Sequence, residues 1–87
     1  MNFLAIIGIA DEQSKLQDKT IISVKVEKPF VENSDEDWYD LIEVEAENDL
    51  FKDELNKLEK GSIIGIKGRI KKIGEKLSCV CERMQIF

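Results

Sequence analysis

The stretch Ser62-Ile63-Ile64-Gly65-Ile66-Lys67-Gly68-Arg69-Ile70-Lys71-Lys72-Ile73, then Gly74-Glu75, then Lys76-Leu77-Ser78-Cys79-Val80-Cys81-Glu82-Arg83-Met84-Gln85-Ile86-Phe87, decides the fold. In its first arm Lys67, Arg69 and Lys71 alternate with Ile66, Gly68 and Ile70. Successive strand residues point to opposite faces, so the three cations share one face and the isoleucines the other. Gly74-Glu75 supplies a tight turn, and residues 76–87 return as the partner strand. At roughly 3.3 Å per residue the positive row is about 13 Å long, enough to follow two or so phosphates. The same pattern also describes a solvated outer strand face with no ligand.

Upstream of the hairpin, Leu50, Phe51, Leu55 and Leu58 fall at helical spacing on one face, predicting a helix to about Glu59. Asn48 or Asp49 can cap it, Lys57 and Lys60 suit its C-terminal dipole, and Gly61 stops it. Residues 38–46 read as a strand with Trp38, Tyr39, Ile42 and Val44 set between acids. Residues 31–37 read as an acidic loop. Residues 20–27 alternate as a half-buried strand, ended by Lys28-Pro29 because proline cannot donate to the ladder. A polar connection is expected over residues 11–19, and an apolar strand containing Gly8 over residues 2–10. The order β-β-β-α-β-β is that of the OB-fold, a five-stranded Greek-key barrel whose helix bridges the third and fourth strands.

The chain has 87 residues, too few for a second core, so residues 1–87 are expected to form a single domain. Hydrophobic residues make up 43% and charged residues 36%, a globular composition rather than a disordered one. Histidine is absent, which excludes a His-based triad and most zinc sites. No metal or cofactor is expected. The net charge of −5 argues against coating nucleic acid by bulk charge. That charge is partitioned: residues 1–59 carry six basic and sixteen acidic side chains, residues 60–87 seven and two. One face can therefore be positive on a negative molecule. Cys79 and Cys81 point the same way on one strand, which disfavours a disulfide between them and suits core or interface thiols in a reducing cytoplasm. The apolar start is too short to span a membrane and lacks a signal peptide's basic opening.

Beyond topology, the sequence resembles the bacterial single-stranded DNA-binding protein (SSB) family over nearly its whole length. Met1-Asn2 with Leu4, Ile6 and Gly8 is similar to the family's opening strand, and Val26-Glu27-Lys28-Pro29-Phe30 to its Val-x-Arg-Pro-Phe segment. Lys60-Gly61-Ser62 with the later Gly68-Arg69-Ile70 resembles its Lys-Gly-Ser strand and Gly-Arg-Leu, the most specific of these matches. Glu82-Arg83-Met84-Gln85-Ile86-Phe87 resembles its last strand. The resemblance implies base stacking on aromatic side chains, with Phe30 matching one such position and Trp38 another. Val44 stands where a further aromatic is expected, Ile9 and Asp40 where basic residues often occur, and the fourth-to-fifth strand hairpin is shortened. The family's tail with an acidic recruiting tip has no counterpart up to Phe87.

Single-strand capture needs cations for the phosphates and flat faces for the bases. The candidates are Lys67, Arg69 and Lys71 for phosphate, and Trp38 and Phe30 for stacking, with Tyr39 in reserve. Lys25 and Lys28 could extend the basic face along the second strand. Trp38 shares parity with Ile42 and Val44, so core packing competes with stacking there; for Phe30 the competing role is a loop anchor. Glu43, Glu45 and Glu47 share a strand face without any nucleophile or ligand set, which reads as a solvated or DNA-repelling edge rather than a catalytic one. The expected function is sequence-nonspecific single-stranded DNA binding in replication, recombination or repair, by a cytoplasmic homo-oligomer assembled through the first strand. The alternative is a PriB-like protein–protein adaptor on the same fold. No enzyme activity is expected.

Overall fold

Alternation of apolar and polar side chains carries through into five strands. The computed structural model describes residues 2–28 and 38–87, with β1 (Leu4–Lys15), β2 (Lys19–Glu27), β3 (Tyr39–Glu47), α1 (Lys52–Lys57), β4 (Ile63–Ile73) and β5 (Lys76–Ile86). The strands close into a barrel in the order β1-β2-β3-β5-β4, antiparallel throughout except for β3 with β5. This is the OB-fold expected from the element order. Even-numbered side chains of β2, β3 and β4 fill the barrel: Ile22, Val24, Val44, Ala46, Ile64 and Ile66 are all essentially inaccessible. Each fully buried isoleucine or valine contributes about 1.5–3 kcal/mol by leaving water.

Closure needs two places where backbones nearly touch. A Cβ added at Gly8 would overlap the Lys25 carbonyl oxygen, and one at Gly68 would overlap that of Val80. Just past Gly8, β1 changes partner at Ile9: Leu4–Ile9 pair with β4, while Ile9 to Lys15 pair with β2. The polar stretch 11–15, expected as loop, is therefore strand. A register shift between Ala10 and Gln13 accommodates it, and its side chains project beyond the covered part of the barrel.

The helix is shorter than its apolar spacing predicts, six residues with no side-chain cap. Asn48 is spent elsewhere. Its Oδ1 accepts from Thr20 Oγ1 at 2.7 Å and its Nδ2 donates to the Leu16 carbonyl at 3.2 Å, tying the end of β3 to the β1–β2 turn. Leu50 is exposed, whereas Phe51 and Leu58, flanking α1, are buried and join the core cluster.

Candidate nucleic-acid interface

Because Ile64, Ile66 and Gly68 point into the barrel, Lys67, Arg69 and Lys71 project outward as one row on β4. Counting register from the turn pairs Ile73 with Lys76 and would place Glu82 opposite Lys67. A bulge instead places Arg83 there, with Glu82 as the extra residue. Arg83 thus joins the row as a fourth cation. Its place there depends on that one-residue slip, which no local pattern of the sequence signals. Glu82 reaches Arg69 only loosely, Nε to Oε2 at 3.9 Å with both side chains about half exposed. Lys67, Lys71, Lys72, Lys76 and Arg83 form no ion pair with another described residue. Asn2 braces the row: its Oδ1 accepts the Ile70 N–H at 2.8 Å and its Nδ2 donates to the Ile70 carbonyl at 3.0 Å.

Beside the row lies an open groove. β3 and β5 share only the register pairs Val44 with Cys79 and Glu45 with Val80, and on the N-terminal side they splay apart. The resulting space of about 440 Å³ has Leu41, Glu43 and Glu45 on one side and Lys76, Leu77 and Ser78 on the other. Lys71 pairs across the hairpin with Ser78, so the positive row meets the groove at its rim. Burial alone would push the Glu45 carboxyl up. Hydrogen bonds from Lys19 and Ser78 and the charges of Lys19 and Lys71 outweigh it and hold the group below the usual carboxylate range.

On the second strand the two expected cations have acidic neighbours. Lys25 lies 3.9 Å from Asp11 and Lys28 3.8 Å from Asp40, so both sit beside carboxylates of neighbouring strands. Trp38 is 61% exposed. It keeps inward parity but precedes β3, beyond the covered end of the barrel, where Asp40 of the same parity is also exposed. Tyr39 is exposed too, on the outer face with Leu41 and the row Glu43, Glu45 and Glu47. Val44 does not occupy a stacking position; it is fully buried in the core. Phe30 lies outside the described residues.

A third patch is apolar and adjoins the row, since Lys67 and Arg83 line the same hollow as Ile7 and Phe87. The outer face of β1, β4 and β5 exposes Ile7 (67%), Ile9, Ile63 and Phe87 (64%), with the Phe87 ring lying over Gly65. Along Leu4–Ile7, β1 pairs with β4 on one edge and has no partner strand on the other among the described residues.

No family model matches the sequence, and no curated protein does. Among solved structures, the protein PriB from Ralstonia solanacearum is similar at a TM-score of 0.76 and 11% identity, over 99% of this chain and 97% of that one. The mitochondrial single-stranded DNA-binding protein Rim1 of S. cerevisiae gives 0.76 and 14% over 98% and 92%. A small single-stranded DNA-binding protein from Mycoplasma pneumoniae gives 0.69 and 15% over 100% and 92%. The chain also superposes on the S. pombe Stn1-Ten1 complex, where it spans 59% of the matched chain. At these identities the shared property is the fold. No helix among the described residues is long and apolar enough to cross a membrane.

Proposed function

We propose that this chain binds single-stranded DNA without reading a defined sequence, in replication, recombination or repair. The observation that carries the reading is the outward row Lys67, Arg69 and Lys71, joined by Arg83 and running to the rim of an open groove. Lys67, Arg69 and Lys71 at alternate positions of β4, with Arg83 beside Lys67 on β5, offer charge to the phosphates, while the exposed rings of Trp38 and Tyr39 offer π-faces to bases. Solved neighbours named for single-stranded DNA binding support this reading. Lys25 and Lys28, beside Asp11 and Asp40, would extend the basic face along the second strand.

The same proposal includes a homo-oligomer. An apolar strand with an open edge is an aggregation risk unless paired, and two copies of β1 related by a two-fold axis satisfy each other's edge groups while covering Ile7 and Phe87. Several short rows acting together raise avidity without new contacts, which offsets the net charge of −5.

A protein–protein adaptor is the second reading, favoured by the acidic outer face of β3. A salt titration of oligo-dT binding separates the two. For the DNA reading, log K falls against log salt with a slope of roughly −2 for three phosphate contacts. Reversing Lys67, Arg69 and Lys71 to Glu abolishes binding with the melting transition retained. Undetectable binding to a long oligo-dT at low salt leaves the adaptor standing.

A further inference from the structure

We propose that the cavity between the end of β1 and α1 binds a phosphate group, as free phosphate or as the 5′-terminal phosphate of a strand. This goes beyond the single-strand reading and concerns a different place: Gln13 and Lys15 lie at the far end of β1 from Ala5, which pairs with Lys67 of the cationic row. The cavity holds about 120 Å³. That is well below the roughly 300–1,000 Å³ of a site for a drug-sized ligand, so it admits a small group and not a whole nucleotide. Lys15 pairs with Thr20 and Gln13 with Ile22, so both project on the face that those two residues turn inward. From α1, Lys52 and Asn56 reach the same cavity, being four apart and so on one helical face.

The charge around it is sorted. The chain carries 18 acidic side chains, yet no carboxylate of the described residues lines this cavity. Neighbouring acids are engaged elsewhere. Glu12 accepts from Lys60 Nζ at 2.7 Å, Asp18 lines a different hollow with Lys19, and the charge of Glu54 acts on Cys81 of β5. Lys15 and Lys52 form no ion pair with another described residue. A phosphate monoester, a dianion above its second pKa of about 6, supplies the opposite charge for both. Donors stand beside the cations. The Asn56 amide makes no hydrogen bond to another described residue, and Gln13 Nε2 gives one hydrogen to the Leu58 carbonyl at 3.4 Å and keeps the other. The wall formed by Thr20 and Asn48 is fixed beforehand: Thr20 Oγ1 donates to Asn48 Oδ1 at 2.7 Å, and Asn48 Nδ2 donates to the Leu16 and Gln17 carbonyls. Lysine holds phosphate as a point charge, and the amides give the contact direction.

The test is an amide NMR titration with inorganic phosphate at mildly alkaline pH, with chloride holding the ionic strength constant. The side-chain amides of Gln13 and Asn56 are expected to shift together and to saturate in the millimolar range. Lys52→Gln weakens this binding by about fivefold, the upper end for one exposed ion pair. Lys15→Gln with Lys52→Gln removes it, and Lys52→Arg keeps it, which separates loss of charge from loss of fold. Absence of a saturable shift at these amides overturns the site, as does a shift that survives the double variant or is confined to the strand bearing Lys67, Arg69 and Lys71. A second arm compares oligo-dT with and without a 5′-phosphate. Tighter binding of the phosphorylated strand, lost in the double variant, assigns the group to a strand end; equal binding assigns the site to free phosphate. The first arm uses no DNA, so failure of the single-strand reading and failure of this site are told apart.

Discussion

Cys81 and Trp38 show how position within the barrel sets the chemistry of a single side chain. Burial pushes the Cys81 thiol up to about 12, with the charges of Glu54 and Glu82 adding to the shift. In the unfolded chain the thiol ionises near its ordinary value of 9.0, so between about 9 and about 12 only the unfolded state gives up this proton. The folded state then binds more protons, and stability falls as pH rises through that window. Urea unfolding at stepped pH is expected to show a shallower fall for Cys81→Ala than for the wild type; parallel slopes refute the assignment. Trp38, exposed and alone as a tryptophan, is the natural reporter of DNA. Oligo-dT is expected to quench its fluorescence, and Trp38→Ala to weaken binding by about 1–3 kcal/mol, the worth of one stacked base. Unchanged emission at saturation puts Trp38 off the DNA path.

At the scale of elements, the β4–β5 hairpin acts as an arm rooted in the barrel. Its root is the bulge beside Gly68, and the Asn2 amide clamps the Ile70 backbone between Arg69 and Lys71. Removing the clamp leaves the core intact and loosens the cationic row. For Asn2→Ala, hydrogen exchange of the Ile70 amide is expected to speed up and oligo-dT affinity to drop severalfold, with the melting temperature little changed. An unaltered exchange rate at Ile70 shows that the hairpin needs no brace. The hairpin itself was legible in residues 62–87, because period-two alternation and a glycine turn are local signals. Arg83 was not, because the bulge that brings it opposite Lys67 answers to barrel closure. The helix is shorter than its apolar spacing predicts for a related reason: Asn48, one of the two expected caps, makes its contacts with Thr20 and Leu16, distant in sequence.

For the whole molecule, the unequal charge of the two chain segments becomes a division of surfaces. The outer face of β3 is acidic, the hairpin is cationic, and the β1–β4–β5 face sets apolar Ile7 and Phe87 beside Lys67 and Arg83 at the root of that hairpin. Self-association through the last of these puts Ile7 at its centre. Sedimentation is expected to show wild-type oligomers that dissociate on dilution, and Ile7→Glu a folded monomer, since the side chain is exposed in the single chain and the charge is costly only at a contact. A wild-type monomer at high concentration removes this face as an interface. Loss of association is also expected to weaken binding to long oligonucleotides more than to short ones, because linked sites gain only when a ligand spans them.

The amino-acid sequence by itself determined the order of elements along the chain, the single helix, the turn at Gly74-Glu75, and the row of three cations facing away from the core. Each is encoded within a few neighbouring residues, where backbone period and turn chemistry act directly. Only the tertiary structure decided that Arg83 completes the row, that Lys25 and Lys28 lie beside carboxylates, that Trp38 clears the barrel, and that a groove opens beside Glu43. These depend on closure: a barrel has fixed ends and crossing points, and which side chains fall beyond them is a property of the closed sheet that no single strand carries.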